Sequence, residues 1–167
     1  MSSPMSVKAE LKPPLRIPPP LVMLLLIAVG LTVHFSFPRR LLPEGWVQLA
    51  AGLPLVGLGV VLAMRSLKRF ALAGTDERYA EPTSVIVRDG PYARTRIPMF
   101  LGAVLVHLGV VVAVNAGWAL VGVPVFVTYL HFSVIRREEG FLERSFGEEY
   151  TSYKRRVPRW MPRLTGQ

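Results

Sequence analysis

Residues 98–135 read PMFLGAVLVHLGVVVAVNAGWALVGVPVFVTYLHFSVI, and not one Lys, Arg, Asp or Glu interrupts them. At about 1.5 Å per residue, the runs 98–114 and 118–135 each extend roughly 25 Å, close to the hydrocarbon thickness of a bilayer. Only Asn115, Ala116 and Gly117 separate the two runs, which predicts a tight helical hairpin. Two further runs, 18–37 and 46–64, are equally apolar. Pro54 and Pro124 fall inside these runs, where neighbouring helices can satisfy the freed carbonyls. The chain has 167 residues, 51% of them hydrophobic, and a mean hydropathy of +0.37. A soluble bundle is the competing arrangement, but too little polar sequence remains to cover four such helices. The expectation is an all-α, polytopic membrane protein with four transmembrane helices, a cytoplasmic connector and a C-terminal amphipathic helix. Residues 1–17, rich in proline, are expected to form a flexible cytoplasmic tail, and 18–167 a single domain.

The charge follows the same plan. Lys and Arg number 20 against 11 Asp and Glu, a net +9 that on a soluble chain would suggest nucleic acid. Placed on alternating sides of four spans, however, eighteen of the twenty basic residues fall on one face and two, Arg39 and Arg40, on the other. Basic residues concentrate on the cytoplasmic side, so both termini are expected there. Topology and grip on anionic headgroups account for the charge, and no nucleic-acid partner is expected. The first span is followed by Pro38-Arg39-Arg40 rather than a small-residue cleavage site, which predicts an uncleaved anchor. The chain has no cysteine, which excludes disulfides, thiolate metal sites and a cysteine nucleophile.

Two polar pieces remain for chemistry. The connector 65–97 carries the β-branched run Thr83-Ser84-Val85-Ile86-Val87, then Asp89-Gly90-Pro91-Tyr92, then Pro98 in the first turn of the third helix. Such an arrangement leaves backbone N–H groups free for a polar ligand, although an ordinary loop has the same pattern. The tail, taken as a helix continuing the fourth span, puts Val134, Glu138, Leu142, Phe146 and Tyr150 on one stripe. Glu138 on an apolar face needs a partner: Arg94, Arg96 or Arg137 in an ion pair, or a cationic or hydroxyl-bearing ligand. His34, His107 and His131 lie on three different spans with no acid at ligand spacing, so no metal is expected. No phosphate loop or nucleophile motif is present.

The stretch Gly90-Pro91-Tyr92-Ala93-Arg94-Thr95-Arg96-Ile97-Pro98-Met99-Phe100-Leu101-Gly102 resembles a motif of one family of membrane enzymes. So do Glu138-Glu139, Phe146-Gly147-Glu148-Glu149-Tyr150 and Tyr153-Lys154-Arg155-Arg156-Val157-Pro158. That family is the isoprenylcysteine carboxyl methyltransferase and phospholipid methyltransferase group, and the likeness covers about half the chain. The resemblance implies S-adenosylmethionine as cofactor and a small lipophilic or membrane-resident methyl acceptor. It implies cofactor contacts from Ser84, Val85, Ile86, Val87, Tyr92, Ile97, Pro98, Met99, Phe100 and Glu138. Glu138 and Arg137 are its candidates for a catalytic part.

Two departures from the family pattern accompany it. Ile97 stands where the family often has His or Asn, and Phe100 where it has Tyr. Prenylcysteine methylators carry an arginine one turn before the tail glutamate, a position that is Val134 here. Arg136 or Arg137 would have to replace it for a carboxylate acceptor. The competing expectation is a catalytically impaired scaffold or binding protein of the same fold. A sterol-type reductase ranks last, because the chain is short and has no dinucleotide signature.

Overall fold

A computed structural model describes residues 17–43, 45–73 and 85–160. The expected tail, apart from Ile17, and the expected cofactor contact Ser84 lie outside the described residues. All regular structure among the described residues is helical. The elements are α1 (Pro19–Ser36), α2 (Val47–Leu72), a 3₁₀ turn (Gly90–Ala93), α3 (Pro98–Ala113) and a second 3₁₀ turn (Trp118–Val121). They are followed by α4 (Gly122–Tyr129), a π-helical turn (Leu130–Ile135), α5 (Arg136–Phe146) and α6 (Glu148–Arg156). Three stretches are long and apolar enough to cross a membrane: α1, α2 and the continuous run Trp118–Phe146. α3, with 16 residues, is a shorter apolar helix.

Two helices run past the ends that hydropathy gives them. α2 continues beyond Met64 to Leu72, and the last run continues beyond Ile135 to Phe146. Hydropathy ends where charge begins, whereas a helix ends only at a breaker. Residues 65–72 and 136–139 contain neither Gly nor Pro and are mostly good helix formers.

The chain folds into two compact units. The apolar unit comprises Ile17–Ala63 and Met99–Leu130. Its helices approach closely through glycine. A Cβ on Gly59 would lie 2.6 Å from the Gly102 carbonyl oxygen, and one on Gly102 would lie 2.7 Å from that of Gly59. Gly52 and Gly109 face each other in the same way, at 2.6 and 2.8 Å. With each pair one heptad apart along its helix, α2 and α3 bring backbone against backbone, the packing by which apolar helices associate in lipid. Pro54 is accommodated within α2, and Pro124 in α4, three residues after the 3₁₀ turn that leads into it.

The turn between α3 and the next helix is pinned by its one polar side chain. Asn115 adopts φ +61°, and its Oδ1 accepts the N–H groups of Leu41 and Leu42, each at 2.8 Å. Its Nδ2 donates to the Leu42 carbonyl at 2.9 Å. The outer faces of α1 and α2 remain apolar and exposed, with Leu25 at 63% and Leu58 at 58%, as side chains meeting lipid tails require.

The polar unit holds the described residues of 64–98 and 131–160. Its inner side is made by Val87, Tyr92, Ile97, Phe141, Tyr150, Tyr153 and Val157, all buried.

Candidate functional site

The polar unit is organised by its breakers. Asp89 is extended and Gly90 has φ +57°, in the region that glycine alone enters freely. A Cβ there would also meet Arg69 Nε at 3.0 Å. Pro91 then fixes the second position of the 3₁₀ turn, and the Tyr92 N–H donates to the Asp89 carbonyl at 3.1 Å. Arg69 from the end of α2 holds Asp89 at 2.7 Å, while Phe70 meets the Tyr92 ring edge-on at 5.2 Å. The second breaker is Gly147, φ +52°, which ends α5 and lets α6 start in a new direction.

These turns bring the two halves of the sequence motif together. On α6, Tyr150, Tyr153 and Val157 form a buried cluster against which Ile86, Leu142 and Phe146 pack. The Tyr153 hydroxyl donates to the Tyr92 carbonyl at 2.7 Å. The tail beyond α6 is laced to Thr95 and Arg96, the segment just before α3. Arg96 N–H donates to the Pro158 carbonyl at 3.0 Å, and the Thr95 hydroxyl to the Arg159 carbonyl at 2.6 Å.

At the centre of this lacing lies a charged trio. Arg96 Nη1 is 2.6 Å from Glu139 Oε1, with side-chain exposures of 10% and 7%. Arg159 grips the same carboxylate with a fork: Nε donates to Oε1 at 3.0 Å and Nη2 to Oε2. Such charge-assisted, two-pronged bonds are directional as well as strong. Burial, then the Glu139 charge, raises the Tyr150 phenol well above its ordinary value, with Arg96 acting the other way. Burial likewise pushes Tyr153 up to about 12, opposed by Arg96 and Arg88. Its hydrogen bond to Glu139 tightens the proton on Arg159 further, against the effect of burial. At neutral pH both phenols are therefore neutral, with Tyr153 a donor to the Tyr92 carbonyl.

The stripe read from the tail is corrected at one position. The deeply buried acid is Glu139, whereas Glu138 is half-buried. A step of four residues overshoots a helical turn by about 40°, so a stripe from Val134 to Tyr150 drifts by about 160°. The π turn at Leu130–Ile135 and the break at Gly147 shift the phase further. The buried positions of this stretch are Val134, Ile135, Glu139 and Phe141, with Leu142 and Phe146 half-buried. Arg159 carried no periodic signal at all.

Of the other expected site residues, Ile86, Val87, Tyr92, Ile97 and Pro98 lie in the polar unit and are buried or half-buried, while Val85 is exposed. Met99 and Phe100 belong to the apolar unit, where Phe100 is buried. Arg137 is exposed. Among the described residues no three His, Asp or Glu side chains are grouped to hold a metal ion.

Comparison with known proteins matches residues 47–149, more than half of the chain, to the phospholipid methyltransferase family. The matched region contains the 3₁₀ turn, Arg96, Glu138 and Glu139. An uncharacterized protein of Haemophilus influenzae is 36% identical over 63 residues, which are 38% of this chain and 100% of that protein. With a helical, lipid-compatible fold and the motif's two halves bonded to each other, the chain belongs to the phospholipid methyltransferase family of membrane methyltransferases.

Proposed function

We propose that this protein is an S-adenosylmethionine-dependent methyltransferase acting on a small lipophilic or membrane-resident acceptor, similar in type to the isoprenylcysteine carboxyl methyltransferases. The reading places four spans in the bilayer, with α3 as the shortest, both termini on the cytoplasmic side, and α6 as an amphipathic helix at the surface. The observation that carries it is the joining of the Gly90–Ala93 turn to α6 through Tyr92 and Tyr153, 61 residues apart in sequence. Motif halves held together in this way support a shared ligand site.

The cofactor contacts proposed are Val85, Ile86, Val87, Tyr92, Ile97, Pro98 and Glu138, with Ser84 and the contiguous Met99 and Phe100 as the resemblance implies. The residues fit a polar, amphoteric ligand. The buried Nε atoms of Arg88 and Arg96 donate to no acceptor among the described residues, and Glu138 supplies an acid. When bound, the cofactor supplies a methyl group on a sulfonium, transferred by in-line displacement. The protein's part is to orient and to exclude water. The buried Tyr92 and Val87 close the site to solvent, the trio fixes the segment that leads into α3, and Glu138 meets the cationic end of the cofactor. Arg137, exposed beside Glu138, is the candidate to approach the acceptor.

A second reading has one observation in its favour. Ile97, Phe100 and Val134, which replace polar family residues, are all buried apolar side chains, as a scaffold that has lost activity would have them. Calorimetry in detergent separates the two. The enzyme reading expects S-adenosylhomocysteine to bind, at least tenfold more weakly after Glu138→Ala. Absence of binding to the folded wild type would leave the scaffold.

A further inference from the structure

Glu139 is one carboxylate held by two guanidinium groups, so the trio itself carries one net positive charge. Arg96 and Glu139 are nine-tenths buried or more, and Arg159 is three-quarters buried. Ion pairs removed from water are stable when charge is matched and remaining donors are satisfied, and this trio meets neither condition. Among the described residues, no acid other than Glu139 forms an ion pair with Arg96 or Arg159 at the distances found. Glu143, the other acid that acts on Arg159, is already engaged by Lys154. Tyr150, beside Arg96, is held neutral by burial. Arg96 also keeps its buried Nε without an acceptor among the described residues. A buried surplus of cationic donors, fixed in place by backbone bonds from Arg96 to Pro158 and from Thr95 to Arg159, is a preformed receptor for an anion.

We propose that Arg96 and Arg159 hold the anionic group, a carboxylate or a phosphate, of a ligand bound by the polar unit, with Glu139 as the positioning residue that aims both guanidiniums. The inference rests on the methyltransferase reading for the identity of that ligand. It adds that the site is selective for a charged partner, and that Arg159, beyond the family match at residue 149, is a binding residue of this chain. The anion has two sources: the amino-acid carboxylate of the cofactor, or a phosphate on the lipid acceptor.

The test uses the full chain in detergent and two matched pairs of probes. S-adenosylhomocysteine is compared with its decarboxylated analogue, and dodecyl phosphate with dodecanol, by calorimetry on wild type, Arg159→Gln and Arg159→Lys. The expected result is that the charged member of one pair binds at least tenfold more tightly. Arg159→Gln should reduce that preference to within about twofold, and Arg159→Lys should leave part of it. A preference in the first pair assigns the cofactor carboxylate, and in the second the acceptor phosphate. Equal affinity within both pairs for the wild type overturns the inference, whatever the variants do. So does a preference that Arg159→Gln leaves intact. If S-adenosylhomocysteine binds without regard to its charge and dodecyl phosphate binds no better than dodecanol, the methyltransferase reading stands and the anion receptor falls. If only dodecyl phosphate binds, in an Arg159-dependent way, the reverse holds.

Discussion

At the scale of single residues, adjacent glutamates carry different burdens. Glu139 satisfies two guanidiniums inside the polar unit, and Glu138 is half-buried beside it. Removing the charge from Glu139 leaves buried cations unpaired, a change that costs about 3–5 kcal/mol. Glu139→Gln should therefore lower the thermal unfolding midpoint by far more than Glu138→Gln, whose effect on stability should stay within about 1 kcal/mol. Parallel melts in one detergent check this, and equal shifts would mean that burial does not distinguish the two. Tyr153 gives a pH signature. Its phenol titrates near 12 in the folded chain and near the ordinary value of about 10 when unfolded. The unfolded state loses that proton first, so its contribution to stability is complete below pH 10 and fades as pH rises through 12. Tyr153→Phe should be less stable at pH 8 by about 1 kcal/mol, from the lost bond to Tyr92, and should lose stability less steeply between pH 10 and 12. Alkaline unfolding curves of the two proteins measure it.

At the scale of elements, glycine sets the spacing of α2 and α3. Gly52, Gly59, Gly102 and Gly109 meet backbone atoms closer than 3 Å from where a Cβ would stand, whereas Gly57 has open space around it. Gly59→Val should separate the helices and destabilise the apolar unit by several kcal/mol, of the order seen for overpacking at its worst. Gly57→Ala, on the same helix, should be neutral or slightly stabilising. Comparing the two in one melting series tests whether these glycines pack or merely occur. The helices themselves were legible because apolar runs need no partner to be recognised. Their ends were less so, since α2 and α5 carry charge outward along a helix that nothing interrupts. The buried acid was missed by one residue because a four-residue step drifts around the helix. Arg159 was invisible because its role comes from a tail folded back on Thr95 and Arg96, with bonds between residues 62 and 64 apart that no local pattern encodes.

For the molecule as a whole, the family match and the apolar helices agree on a membrane methyltransferase, and the sequence resemblance had already pointed to that group. What hydropathy could establish was the lipid environment. What it could not establish was the acceptor, because an acceptor is recognised by side chains drawn from separate segments. The most direct measurement is methyl transfer itself. Membranes containing the protein are incubated with methyl-labelled S-adenosylmethionine and extracted with organic solvent. Label should enter the lipid phase above that of membranes lacking the protein, and should fall at least tenfold with Glu138→Ala. No label above background from folded wild-type protein, across membranes supplying varied lipid acceptors, would contradict it.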